Sequence, residues 1–197
     1  FQAVRGLEPA CAGQTLAEGI AVKAPGKLTR PVITELLDEI LLAGELAIEQ
    51  AVLTLIETRK IVSEGAGAAP VAALLANKER FAGRKVGLVV SGGNIDSRVL
   101  ASILQRGLMR GGRMARLRIE INDQPGVLAK VARTIGDGDG NIIEIYHQRL
   151  FHDVPVKMAE VDVVVEATGV EHVRAIMDSL RKAGFPTRLL HSTADGD

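Results

Sequence analysis

Three short stretches carry the residue types that could do chemistry. Leu88-Val89-Val90-Ser91-Gly92-Gly93-Asn94-Ile95-Asp96 reads as an apolar strand, a glycine-paired turn and the start of a helix. Such a junction sets backbone N–H groups and the Ser91 hydroxyl at the carboxyl end of a strand, where α/β sheets present ligands. Ser63-Glu64-Gly65-Ala66-Gly67-Ala68-Ala69 places one carboxylate, Glu64, among residues small enough for backbone to approach a ligand or a neighbouring element closely. Asn122-Asp123-Gln124-Pro125-Gly126 offers an acid and an amide where a strand gives way to a helix. Each stretch also has a plain structural reading. Ser91 could cap the helix that follows it, Glu64 could meet the macrodipole of its own helix, and Asp-x-Pro-Gly could simply be a tight turn.

Other reactive side chains point nowhere in particular. One cysteine, Cys11, excludes an internal disulfide, and the histidines at 147, 152, 172 and 191 show no metal-ligand spacing with it. His147 is expected to be a satisfied or exposed strand residue, and Arg106, Arg110 and Arg113 a solvated helix end. Lys plus Arg and Asp plus Glu number 24 each, so no net field draws in nucleic acid or an anionic membrane. No stretch is long and apolar enough to span a bilayer, and the N-terminus lacks a signal-peptide layout. The expectation is a cytoplasmic protein with neither nucleic acid nor membrane as partner and with no metal site.

The elements that would position these residues follow from periodicity. With 197 residues, 47% of them hydrophobic, the chain can bury one large core or two small ones. Residues 1–30 are rich in breakers, with one short strand over 19–22. Thr29-Arg30-Pro31 opens a helix, with proline in its first turn, that keeps Val32, Ile33, Leu36, Leu37 and Ile40 in phase and stops near Gly44. A second helix over 45–60 repeats the pattern with Ile48, Ala51, Val52, Leu55 and Ile56. The small-residue turn at 61–69 leads into an alanine- and leucine-rich helix through Leu75. Residues 86–90 read as a fully buried strand of a parallel sheet, and a helix after Asn94 ends in a glycine- and arginine-rich linker over 107–113.

From Arg116 the period changes. Leu117, Ile119 and Ile121 alternate with Arg118 and Glu120 as in a half-buried strand. Pro125 can occupy the first turn of a helix carrying Val127, Leu128, Val131 and Ile135. Strands over 141–149 and 156–167 are joined by a loop around His152-Asp153-Val154-Pro155. A helix through Val173, Ile176, Met177 and Leu180 stops at Gly184, and a short strand covers 187–190. The order is the split βαββαβ unit. The boundaries expected are 1–112 and 113–197.

Leu16-Ala17-Glu18-Gly19-Ile20-Ala21-Val22, Ile61-Val62-Ser63-Glu64-Gly65-Ala66-Gly67-Ala68 and Ser91-Gly92-Gly93-Asn94, in that order and spacing, resemble the C-terminal portion of the catalytic domain of threonine ammonia-lyases. These are fold type II pyridoxal-phosphate enzymes. The last 80 or so residues, with Asp123-Gln124-Pro125-Gly126 as their hallmark, look like an ACT domain. The resemblance implies an α/β chain: an incomplete fold type II (tryptophan-synthase-β-like) parallel-sheet domain followed by a ferredoxin-like ACT domain. It implies that Ser91 shares a hydrogen bond with the pyridine nitrogen of pyridoxal phosphate, with Gly92 beside it. Glu64 would lie in the wall of the cofactor pocket, and Gly19 would offer its backbone to the ring. A neutral hydroxyl does not force that nitrogen to be protonated, which suits β-elimination of water.

The same resemblance implies that paired ACT domains bind an amino acid between Asn122, Asp123, Gln124, Gly126, Val127 and Leu128 of one chain and Asn141, Ile142 and Ile143 of another. Isoleucine and valine are the candidate effectors, and the chain would be a homo-oligomer through both domains. L-Threonine, with L-serine as a further substrate, would give the 2-oxo acid and ammonia. Two parts of the family's machinery are not matched. None of Lys23, Lys27, Lys60, Lys78 or Lys85 has the Ser-Phe-Lys-like context of the Schiff-base lysine, and the glycine-rich phosphate loop has no counterpart. The chain by itself is therefore expected to be inactive, with no catalytic residue of its own. The alternative is a non-catalytic amino-acid-binding and assembly module.

Overall fold

The computed structural model describes residues 13–22, 24, 26–148 and 158–190. The expected loop around His152-Asp153-Val154-Pro155, together with Cys11 and His191, lies outside the described residues. The chain divides into two compact units, Phe1–Leu104 and Gln105–Asp197.

Among the described residues, the first half carries four α-helices: α1 (Thr29–Leu36), α2 (Glu45–Arg59), α3 (Gly65–Ala76) and α4 (Ser97–Arg110). The core of this unit is the face of α2 formed by Ile48, Ala51, Val52 and Leu55, closed against Ala68 and Ala72 of α3, with Ala17 and Ile103. Alanines and glycines on α3 let the helices approach closely, so the α3 side of this core is built from small residues. α2 ends where Lys60 enters the left-handed region at φ 59° and its N–H returns to the carbonyls of Ile56 and Leu55.

Several expectations for this unit are corrected. Residues 19–22 are not a strand; Glu18–Ile20 form a single 3-10 turn. α1 opens at Thr29 with Pro31 in its first turn, as expected, but stops at Leu36 because Leu37 is already extended, well short of Gly44. None of its residues is buried, so nothing holds the remaining turns. Residues 86–90 form no strand ladder, and Val89 is 78% exposed. A parallel strand is held by neighbours bonded along its edges, and among the described residues of this unit there is no second strand. The linker expected over 107–113 is helical as far as Arg110.

The second unit is the expected βαββαβ fold: β1 (Met114–Asn122), α5 (Val127–Asp137), β2 (Asn141–Gln148), β3 (Met158–Glu166), α6 (Val170–Lys182) and β4 (Thr187–Leu190). The sheet order is β2-β3-β1-β4, with all pairs antiparallel. Leu117, Ile119, Val161 and Val163 on one face pack with Val131 and Ile135 of α5 and Ile176 and Leu180 of α6. Pro125 falls outside the first turn of α5, because Gly126 at φ 83° is the residue that precedes the helix.

The other face of the sheet is ionic. Asp162, buried, accepts from Arg118 Nε (2.6 Å) and Nη2 (2.9 Å) and from Arg116 Nη2 (2.7 Å). Glu160 bridges Arg118 and Arg188, and Arg116 stacks over the Tyr146 ring. These bonds, the Arg118 fork first, hold the Asp162 carboxyl below its ordinary value and raise Arg118 in turn. At the far edge, β2 carries a bulge: Ile142 pairs with Val165 and Glu144 with Val164, leaving Ile143 as the extra residue.

Candidate functional site

Three separate stretches converge on the N-terminus of α3. Glu64 precedes the helix in extended conformation, and its carbonyl accepts the N–H of Ala68 at 3.0 Å, the first helical bond. Its own N–H donates to the carbonyl of Gly92 at 3.1 Å, and its side chain lies over Gly92. A methyl at Gly92 would come 2.1 Å from Glu64 Oε1, and Gly92 holds φ 78°, a conformation open to glycine. A methyl at Gly19 would touch Ala66 at 3.1 Å and lie 3.7 Å from the same carboxylate oxygen. One on Gly67 would come within 1.6 Å of the Ser91 carbonyl oxygen. Gly19, Glu64, Ser91 and Gly92, spread over 74 positions of sequence from 19 to 92, therefore share one small region.

The structure rules out the capping reading of Ser91. The following helix does not begin until Ser97, and its cap is Asp96, whose Oδ1 accepts the N–H groups of Arg98 (2.9 Å) and Val99 (3.1 Å). Ser91 is exposed, six residues upstream, and its hydroxyl has no protein partner among the described residues. Glu64 stands at the helix start, as its structural reading has it, and also clasps the 91–92 turn. Ser63, absent from the sequence expectations, is fully buried, and its hydroxyl donates to the Glu64 carbonyl at 3.1 Å. A serine beside a glycine-rich turn gives no hint of that burial, so no sequence signal could have singled it out.

Tested against the shape of pyridoxal phosphate, these residues fit one edge of it. An unpartnered hydroxyl on an exposed turn can meet the ring nitrogen, while the space beside Gly92 is taken by the Glu64 side chain and that beside Gly19 by Ala66. No group of three or more metal-ligating side chains is assembled among the described residues.

In the second unit the strand-to-helix turn is built from backbone. Gln124 N–H returns to the Asn122 carbonyl at 2.8 Å, and Val127 N–H to that of Gln124 at 3.3 Å. Val127 and Leu128 rest partly buried on the core. Asn141 donates from Nδ2 to Glu166 Oε2 at 3.1 Å, Ile142 turns into the core, and the bulge puts Ile143 outside. Register places these two groups far apart in one chain. Asn122 pairs with Met158 at one end of the sheet, whereas Asn141 pairs with Glu166, opposite Met114, at the other. Eight steps of strand separate them, on the order of 25 Å.

One residue departs from its expected role. His147 pairs with Val161, and its Nε2 is the buried side-chain polar atom without a hydrogen-bond partner among the described residues. It is neither satisfied nor a freely exposed strand residue.

Comparison with known proteins gives the family. Residues 2–92 match the family described as "Pyridoxal-phosphate dependent enzyme", and residues 110–184 match "ACT domain". The L-threonine ammonia-lyase of Geobacter sulfurreducens is 40% identical over 171 residues, which is 87% of this chain and 42% of that protein. That of Thermotoga maritima is 37% identical over 176 residues, 89% of this chain and 44% of the relative. A threonine deaminase from T.th., known from its crystal structure, is 32% identical, with a TM-score of 0.44, over 48% of this chain and 35% of that one. The chain thus spans less than half the length of the curated relatives it matches. Residues 2–92 are a segment of the pyridoxal-phosphate dependent enzyme family and residues 110–184 an ACT domain, and over most of its length the chain is homologous to L-threonine ammonia-lyases.

Proposed function

We propose that this chain supplies one wall of the cofactor site, together with the amino-acid-sensing domain, of a threonine ammonia-lyase acting in the cytoplasm. The reaction is conversion of L-threonine to 2-oxobutanoate and ammonia, with L-serine as a second substrate. The observation that carries this reading is the convergence of Gly19, Glu64, Ser91 and Gly92 at the start of α3. Pyridoxal phosphate, when bound, supplies an electron sink for loss of the α-proton and the β-hydroxyl. In this chain the Ser91 hydroxyl holds the ring nitrogen without imposing a charge on it. Glu64 fixes the turn that carries Ser91, through its N–H bond to Gly92 and its side chain over that glycine.

The covalent anchor and the phosphate cradle come from outside these residues. Lys60, for one, closes the end of α2 and donates to the Glu57 carbonyl. The chain alone therefore does not turn over threonine. In the second unit, an amino-acid effector sits between Asn122, Asp123, Gln124, Gly126, Val127 and Leu128 of one protomer and Asn141, Ile142 and Ile143 of its partner. The distance between the two groups within one chain supports a site shared by two chains of a homo-oligomer. Isoleucine and valine are the first effectors to test. The division between the two functional parts is placed at 112/113.

A chimera tests the catalytic reading. The matched stretch of the Geobacter sulfurreducens enzyme is replaced by the corresponding residues of this chain. The chimera is expected to form 2-oxobutanoate from L-threonine, and S91A in it to lower kcat/KM by about 10- to 100-fold, the worth of one hydrogen bond to a charged or polarised group. The 197-residue chain by itself is expected to form none. A folded, cofactor-loaded chimera without activity, or a borohydride-trapped lysine adduct at one defined position in the isolated chain, refutes the proposal.

A further inference from the structure

The imidazole of His147 stands in an unusual place for a polar group. In an antiparallel ladder, directly paired residues project to the same side of the sheet. His147 pairs with Val161, which pairs with Ile119, and both of these are fully buried on the helix-covered face. The residue next to Val161, Asp162, projects to the opposite face and takes its place in the arginine network. His147 therefore points inward, into an apolar row, with a nitrogen that no group among the described residues satisfies. Buried polar atoms without a partner are rare, because each costs about 1–3 kcal/mol of desolvation.

Register also says what lies above it. The inward row nearest the end of β1 is Ile121 with Ala159, and the next is Ile119, Val161 and His147. β1 ends at Asn122 and turns through Asp123–Gly126 into α5, whose first residues Val127 and Leu128 pack on the same core. The orphaned nitrogen thus lies at the end of the sheet where α5 begins, on the side that α5 covers.

We propose that His147 Nε2 is the polar floor of the amino-acid site at this turn, and that it hydrogen-bonds the side-chain hydroxyl of a bound β-hydroxy amino acid. The inference rests on the effector reading above and refines it. The backbone at the start of α5 takes the carboxylate and Asp123 the ammonium, so the side chain of the ligand is directed at the sheet. A branched aliphatic side chain there leaves the imidazole unpaired, whereas a hydroxyl removes its penalty. This unit therefore senses threonine or serine in preference to valine or isoleucine.

L-Threonine and L-valine have the same shape and differ by a hydroxyl for a methyl, which makes them the diagnostic pair. Calorimetric titration of the whole chain is expected to show threonine binding at least tenfold more tightly than valine. H147L is expected to bring the two within about twofold of each other, and H147Q, which keeps a donor, to retain part of the preference. Imidazole nitrogen NMR of the unsubstituted chain gives a readout that needs no variant: the His147 Nε2 resonance should shift on adding threonine and stay put on adding valine. Equal or tighter binding of valine, an Nε2 resonance unmoved by threonine, or an unchanged ratio in H147L overturns the inference and leaves the effector reading standing. Failure of all four amino acids to bind removes the effector reading and this inference with it.

Discussion

Replacing Asp162 by asparagine removes one charge from the centre of the ionic face without changing its shape. Asp162 sits opposite Arg118 in the β1–β3 ladder and binds both Arg118 and Arg116, while Arg118 sits opposite Arg188 across the β1–β4 ladder. Without the carboxylate, the directly opposed Arg118 and Arg188 are left to Glu160, and Arg116 keeps, among the described residues, only the Tyr146 ring. Removing one partner from a buried pair costs about 3–5 kcal/mol. The Arg118 and Arg116 side chains are 23% and 49% exposed, so water recovers part of that, and a loss of roughly 2 kcal/mol is expected. The chain has one tyrosine, Tyr146, and no tryptophan, so tyrosine fluorescence reports this unit specifically. With a urea dependence of about 1–1.5 kcal/mol per M for a unit of this size, the midpoint should fall by about 1.5 M.

The pH dependence has a definite sign. The Asp162 carboxyl is held below its usual value, about 3.9 when unperturbed, by Arg118 first and Arg116 next. Its stabilisation is therefore present above the unfolded value and is lost as pH falls through the lower folded one. The gap between the unsubstituted chain and D162N should stay constant from about pH 8 to about 5 and close below about pH 4. E171Q, which breaks the exposed Glu171–Arg174 pair, is the control and should shift stability by less than about 0.5 kcal/mol. A D162N midpoint within about 0.2 M of the parent, or a gap that persists unchanged to the acid limit, would refute the account.

Three further substitutions probe the two units. G67A puts a methyl 1.6 Å from the Ser91 carbonyl and 2.6 Å from Ser63 Oγ, so the 91–92 turn must leave α3; the Glu64 amide, bonded to Gly92, should lose hydrogen-exchange protection by about 2 kcal/mol, and retained protection would contradict the close approach. D96A removes the cap of α4 and should speed exchange of the Arg98 and Val99 amides, costing about 1 kcal/mol, whereas S91A should leave them unchanged. His172 accepts from the Thr168 N–H at Nδ1 (3.1 Å) and meets the Gly138 carbonyl at Nε2 (2.6 Å), so H172F should cost about 1–2 kcal/mol in the Tyr146-monitored urea transition; a change below about 0.3 kcal/mol would show that neither bond matters.

Local patterns fared best where local physics is enough. The alternation of Leu117, Ile119 and Ile121 against charged neighbours set the buried face of β1, and α2 and α3 lie where their apolar spacing put them. The run at 86–90 misled because a strand's identity resides in its neighbours: it is rich in apolar residues, yet no ladder forms among the described residues. Proline at 125 suggested a helix start, but the left-handed Gly126 decides where α5 begins.

The sequence alone determined the order of elements in the second unit, the small residues at 19, 65, 67 and 92, and the Ser91 hydroxyl and Glu64 carboxylate that accompany them, because periodicity and residue size are local properties. Only the tertiary structure decided that Glu64 reaches Gly92, that Asp96 rather than Ser91 caps α4, and that Asn122 and Asn141 stand at opposite ends of one sheet. It alone decided that His147 turns a bare nitrogen into the core. Those facts depend on register and close approach between segments distant in sequence, and a strand shifted by one residue would have sent the imidazole to the opposite face.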